Sequence, residues 1–331
     1  MTPIGKTTED GLCPVSPPLA KEVMTSLTPS RSFRAFGLAA LALCALLLLA
    51  ACDRAGDQPV MRIGYMNCNT EQETQERFRP LTRHLSEKTG IEFVAVPVNT
   101  EDFAERFARG EFQFTHTNSL LYIILKEQHG LQLLAAEKRG RFGARSAGTI
   151  IARKGSGIDK LADIRGKRMV FGPVMAPTGY LAQYDLMLRN GIDPEKDLAF
   201  YTIPTGSFKH EKLVYGLYFG QYDVAAAPAL DLEVMAAEGK ISPDDFVVLG
   251  QSPLIPYCTF GAAATVDAAV VAKVQQALLD LDPQDVVAVD GEERKVLKSA
   301  WIDGFEALLD SDYDPIRDMA RRADMPPYQK Y

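Results

Sequence analysis

The sequence predicts an α/β fold in two lobes, with the chain crossing between them twice. Three observations predict it. From Met61 onward short apolar runs alternate with segments of helical period, the pattern of α/β units around a largely parallel sheet. A chain of 331 residues is long enough to divide its core between two lobes. Late in the chain Ser252-Pro253 and Ile255-Pro256 punctuate the pattern where a return crossing between lobes is expected.

Residues 1–51 stand apart from this pattern. Residues 1–23 carry no apolar periodicity and read either as an upstream extension ahead of a start at Met24 or as disordered chain. Arg31 and Arg34 then precede an apolar run from Ala35 to Ala50, the order of a secretory signal. Leu49-Ala50-Ala51-Cys52 is similar to a bacterial lipobox and marks Cys52 as the lipidated residue, with 52–60 a linker. The same run is also of a length that a retained membrane anchor would need.

In the folded part, Met61 to Tyr65 reads as a strand and 70–88 as a helix with Phe78, Leu81 and Leu85 on one face. Strands are expected at 91–98, 112–117, 131–137 and 148–154, with helices at 102–109 and 119–128 between them. A second set follows: strands at 168–172, 198–203, 223–227 and 245–250, and helices at 179–189, 210–219 and 229–237. The chain is expected to cross between lobes near 152–156 and to return near 250–256. That division assigns 61–153 and 252–331 to the first lobe and 154–251 to the second.

Thirty-six basic and 43 acidic residues leave a net charge of −7, which provides no basic footprint for nucleic acid. Of the five cysteines only Cys68 and Cys258 lie beyond Cys52. In an exported chain they can pair or stay free, and a bridge needs their Cα atoms within about 7 Å. There is no HExxH, CxxC or GxSxG motif. An enzyme reading would rest on the scattered His116, His210 and Cys68, so no catalytic function and no metal or other cofactor is expected.

Several stretches, taken in order and spacing, resemble the phosphate/phosphite/phosphonate group of periplasmic binding proteins from ABC importers. They are Phe78-Arg79-Pro80-Leu81, the run from Arg153 to Ile158 leading to Leu161–Arg168, Thr178-Gly179-Tyr180-Leu181, Gly206 to His210 ahead of Gly220 and Asp223, Glu238-Gly239-Lys240-Ile241, Ser252 to Pro256, and Asp312-Tyr313-Asp314-Pro315-Ile316-Arg317. The resemblance covers almost all of 61–320. It implies a type II periplasmic-binding-protein-like fold, two α/β lobes closing on a ligand. It also implies a lipid-anchored, monomeric protein on the periplasmic side of the envelope, partnered by a membrane permease.

The resemblance gives a reason for Phe171–Leu181, FGPVMAPTGYL, where an apolar strand runs through Pro-Thr-Gly into a helix. The first N–H groups of a helix lack intrahelical partners and attract anions. Thr178, Gly179 and Tyr180 are therefore expected to meet a small oxyanion, with the helix starts at Asn118-Ser119 and near His210 as further walls and no arginine required. Tyr65, Phe103 and Tyr122 fall where the family places ligand-facing residues. His116 reads as a packing residue.

Departures from the family pattern bear on the ligand. Ala176-Pro177-Thr178 replaces Ser-Thr-Ser, Pro228 stands where an acidic residue often holds an amino group, and Ser146-Ala147 replaces an aromatic. Such a pocket should disfavour 2-aminoethylphosphonate against a smaller or less common oxyanion. A protein of this fold can also serve a membrane histidine kinase or chemoreceptor as a ligand sensor.

Overall fold

The computed structural model describes residues 60–204 and 210–329. The signal-like segment and Cys52 lie outside the described residues, as does most of Gly206–His210. Among the described residues no helix is long and apolar enough to cross a membrane.

The first lobe begins with β1 (Met61–Met66), α1 (Glu71–Thr89), β2 (Phe93–Val98), α2 (Thr100–Ala108), β3 (Phe114–Thr117), α3 (Ser119–His129) and β4 (Gln132–Lys138). Short β5 (Arg145–Ser146) leads into the second lobe. There β6 (Gly148–Arg153), β7 (Arg168–Val170), α4 (Ala182–Arg189), α5 (Pro194–Asp197), β8 (Phe200–Thr202), α6 (Glu211–Tyr218), β9 (Val224–Pro228), α7 (Ala229–Ala237) and β10 (Phe246–Gln251) follow. The chain returns through β11 (Ile255–Pro256) to β12 (Thr259–Ala262), α8 (Ala268–Leu279), β13 (Val286–Val289), β14 (Glu292–Lys295), α9 (Val296–Ala300), β15 (Gly304–Glu306) and α10 (Asp314–Arg322).

Two sheets result, with strand orders β15-β4-β12-β3-β1-β2 and β10-β6-β9-β7-β8. In the first, β1 is parallel to β2 and β3, while β12 runs antiparallel to β3 and β4. In the second, β7 is parallel to β8 and β9, and β6 is antiparallel to β9 and β10. A separate antiparallel pair, Ile255 opposite Ser146 and Pro256 opposite Arg145, joins the two lobes.

The first crossing differs from the sequence expectation. The strand at 148–153 belongs to the second sheet, so the chain crosses at β5, ahead of it, and not near 152–156. The glycines that suggested a crossing are in the left-handed region, Gly155 at φ 74° and Gly157 at φ 76°. They form a turn after β6, a conformation that glycine adopts without a Cβ penalty. The chain returns at β11, Ile255–Pro256.

A hairpin at β13–β14 was not anticipated, although Asp290-Gly291 marks its turn. Both residues have positive φ, 54° and 81°, as a two-residue hairpin turn of this hand requires.

Tyr65, Phe78, Phe114, Phe260 and Leu278 anchor one buried cluster in the first lobe. Leu213, Val214, Leu217 and Ala225 anchor another in the second. A third runs between lobes, from Leu120 to Leu125 on α3 through Ile150 and Leu181 to Ile316 and Met319 on α10. The last helix thus packs against both halves, and Arg322 Nε donates to Asp185 Oδ1 on α4 at 2.5 Å.

Candidate functional site

The sheet topology gathers one edge of each lobe into a single region. In the first sheet the carboxyl ends of β1, β3 and β4 and the start of β12 lie along one edge, because β12 is antiparallel to its neighbours. In the second, the carboxyl ends of β7, β8 and β9 share an edge with the start of β6. The crevice beyond the carboxyl ends of parallel strands is where open α/β sheets bind ligands. The two edges meet: Asn118 Nδ2 donates to Met175 O in the opposite lobe at 2.9 Å, and Arg141 pairs with Glu233 at 2.6 Å.

On the second-lobe side, Pro177–Leu181 forms one π-helical turn before α4. Tyr180 N and Leu181 N both bond to Ala176 O, at 2.9 and 3.2 Å. Such bulges recur at functional sites. No side chain caps this start, so Thr178 is not its cap; its carbonyl instead accepts from Gln183 Nε2 at 2.6 Å. The imidazole of His210 lies against the turn. A Cβ on Gly179 would sit 2.5 Å from His210 Nε2, and one on Gly172 3.2 Å away, so both positions need glycine for the ring to fit. Asp231 Oδ2 accepts from His210 Nδ1 at 2.9 Å and turns the other ring nitrogen toward Gly179.

On the first-lobe side, Asn118 caps α3 through Leu121 N at 2.9 Å while its amide reaches Met175. Ser119 is 1% exposed, and its hydroxyl has no hydrogen-bond partner among the described residues. Thr117, at the end of β3, and Ser146, on the connecting strand β5, also carry buried hydroxyls without partners among the described residues. Buried polar groups are ordinarily paired, so three orphan donors here are notable.

Arg139 follows β4 on this edge. Its Nη1 donates to Tyr257 Oη at 3.2 Å, and no carboxylate lies within ion-pair distance among the described residues. Burial works against its charge, but Tyr257, Asp231 and Glu137 outweigh that and hold its pKa above the ordinary value. Asp231, which pairs with His210 in the other lobe, is one of the charges that favour the guanidinium. Cys68 and Cys258 are free thiols. Cys68 is exposed yet ringed by protein groups: burial raises its pKa, Arg77 and Arg139 pull it down, and Glu137 pushes it up. Burial, then Glu137, drives Cys258 well above the ordinary thiol value.

The nine residues expected to bind ligand separate by position. Asn118, Ser119, Thr178, Gly179 and His210 stand at the facing edges. Tyr180 is mostly buried, its ring 5.1 Å from that of Phe171 and stacked on Tyr184. Tyr65 is enclosed in the first-lobe core, with its hydroxyl on Thr82 at 2.9 Å and its ring stacked on Phe78 at 4.4 Å. Phe103 packs edge-on against Phe112, fully buried. Tyr122 donates to Asp310 at 2.7 Å beside Tyr313. The geometry therefore does not bring Tyr65, Phe103 and Tyr122 together with the other six. It adds Arg139, Tyr257 and Asp231, which the sequence reading omitted. A basic residue closing a strand at a carboxyl edge was the available signal for Arg139.

Comparison with known proteins agrees with this architecture. The model of a family described as "ABC transporter, phosphonate, periplasmic substrate-binding protein" matches residues 63–313. The tetrathionate sensor histidine kinase TtrS of Salmonella typhimurium is 30% identical over 233 residues, 66% of this chain. The chain spans 39% of that relative's length. PhnD1 from Prochlorococcus marinus, solved in complex with methylphosphonate, superposes with a TM-score of 0.66 at 13% identity, covering 81% of this chain and 99% of that one. A binding-protein component of an ABC phosphonate transporter from Pseudomonas aeruginosa gives a TM-score of 0.62 at 20% identity, with 80% and 86% covered. At these identities the structural likeness concerns the fold.

Proposed function

Since the chain belongs to the family of periplasmic substrate-binding proteins of phosphonate ABC transporters, we propose that it binds a small oxyanion in the interlobe cleft and delivers it to a membrane permease, held to the envelope by a lipid on Cys52. The observation that carries this reading is Arg139 at the carboxyl edge of β4, a half-buried guanidinium with Tyr257 as hydrogen-bond partner and no carboxylate within ion-pair distance among the described residues. A fixed arginine fork suits the oxygen pairs of an oxyanion. The unpaired hydroxyls of Ser119, Thr117 and Ser146 offer further donors. Binding needs no chemistry beyond closure around a ligand that favours the closed state.

Pro228 and Ala176-Pro177-Thr178 argue against an aminophosphonate and leave phosphite, phosphate, methylphosphonate and sulfur oxyanions as ligand candidates. The likeness to a tetrathionate sensor adds tetrathionate to that set, and with it a second reading in which the same closure signals to a membrane kinase. Calorimetric titration with each of these anions and with 2-aminoethylphosphonate tests the proposal. One anion bound at micromolar Kd or tighter, and lost in Arg139→Ala, supports it. Preference for 2-aminoethylphosphonate over phosphite overturns the ligand assignment, and no binding of any anion overturns the function.

A further inference from the structure

Three donor groups of different chemistry converge behind the first-lobe wall. His116 on β3, Glu137 on β4 and Cys258 just ahead of β12 each offer one atom, and these atoms lie within 4.8 Å of one another. The sheet order explains the meeting. The strand β12 lies between β3 and β4, with Phe260 opposite His116 and Thr259 opposite Ala136, and Glu137 N donates to Cys258 O at 2.7 Å. Three adjacent strands thus present one donor apiece at the same level of the sheet.

A hydrogen bond between His116 and Glu137 does not account for the whole cluster. Their atoms Nε2 and Oε2 are 2.9 Å apart, but Glu137 is fully buried and its other oxygen, Oε1, has no hydrogen-bond partner among the described residues. The nearest cation, Arg77, is 3.8 Å from that oxygen. A buried carboxylate with an orphan oxygen is costly unless something compensates it. The neighbouring Cys258 thiol adds a second group that would be anionic as a ligand, which only a cation between the two would favour.

We propose that His116, Glu137 and Cys258 form a binding site for a thiophilic divalent cation of the zinc class. An imidazole, a carboxylate and a thiolate are a donor set that zinc accepts. Tetrahedral zinc, with bonds of about 2.0–2.3 Å, separates its ligand atoms by roughly 3.3–3.6 Å. The observed span comes within side-chain rotation of that figure and needs no rearrangement of the sheet. Three protein ligands leave one coordination position. A water molecule would complete the tetrahedron. Arg77 beside Glu137 would then serve as the outer partner of a metal-bound carboxylate. The site uses none of the groups assigned to the oxyanion, so the two proposals stand or fall separately.

The test is titration of the EDTA-treated chain with cobalt(II) chloride, which reports a bound thiolate through its charge-transfer absorption. We expect one equivalent to bind with that absorption. In Cys258→Ser the band should be lost and affinity reduced at least 100-fold, and in Glu137→Gln affinity should fall at least tenfold. Should Cys258→Ser fail to unfold cooperatively, protection of Cys258 from maleimide by zinc chloride in the unaltered chain replaces it. Substoichiometric binding, a spectrum without the thiolate band, or equal alkylation with and without zinc overturns the proposal.

Discussion

At the scale of single residues, Arg139 and Gly179 carry the sharpest expectations. A hydrogen bond to a charged group contributes about 1.5–3 kcal/mol. Arg139→Ala should therefore weaken oxyanion binding roughly 10- to 100-fold, and Arg139→Lys should fall between, because lysine keeps the charge and loses the fork. Calorimetry of both variants checks this; equal affinity in Arg139→Ala would remove the guanidinium from the site. Gly179→Ala would place a methyl 2.5 Å from His210 Nε2. Overpacking of that kind costs about 1–3 kcal/mol, read as a lower unfolding midpoint, and should displace the imidazole and reduce affinity. A fully stable Gly179→Ala protein would mean that the ring moves away freely. Cys68 and Cys258, left open between thiol and bridge by sequence, are thiols in the structure. A thiol titration of a chain beginning at Val60 should count both.

At the scale of elements, α3 joins local capping to lobe closure through one side chain. Asn118 accepts from Leu121 N to cap the helix and donates to Met175 across the cleft. Asn118→Ala should lose about 1 kcal/mol for the cap and also release the loop before the π-turn. Small-angle scattering should then show a larger mean radius of gyration without ligand, and an unchanged radius would deny Asn118 a part in closure. Most of this element was legible in advance: Asn118-Ser119 ahead of an apolar run announces a helix start, and the structure begins the helix at Ser119. The π-turn was not. The sequence Pro-Thr-Gly announces a helix start, whereas the extra residue in the turn depends on Gly179 closing against His210, a residue 31 positions later in the numbering.

At the scale of the whole molecule, α10 packs against α3 of the first lobe and α4 of the second. Arg317, 5% exposed, donates to Asp310, Asp314 and Glu127, and Tyr122 donates to Asp310. Burial opposes the charge of Asp310, but Tyr122 and Arg317 prevail and hold its pKa below the ordinary carboxylate value. A carboxylate with a depressed folded pKa contributes stability that is present above its unfolded value of about 4 and is lost as pH falls through the folded one. The urea midpoint should therefore drop below about pH 4, and Asp310→Asn should be less stable at pH 7 and show a shallower acid-side loss. A variant that tracks the parent's pH curve would show that Asp310 is not a contributor. A bound oxyanion at 100 times its Kd should raise stability by about 2.7 kcal/mol, visible as a shift in thermal midpoint.

Sequence by itself determined the alternation of strands and helices, the two-lobed α/β class, the helix starts at Thr70 and Asn118, and a helix entry at Pro177-Thr178-Gly179. These follow from period, capping chemistry and glycine placement, all of which are local. Tertiary structure alone decided that β6 belongs to the second sheet, that Tyr65 and Phe103 are core, that Arg139 pairs with Tyr257, and that His116, Glu137 and Cys258 meet. Each of these depends on strand order and register, which bring together residues as far apart as 116 and 258. Register is selected by the burial of whole faces against one another, and no local stretch of sequence contains that competition.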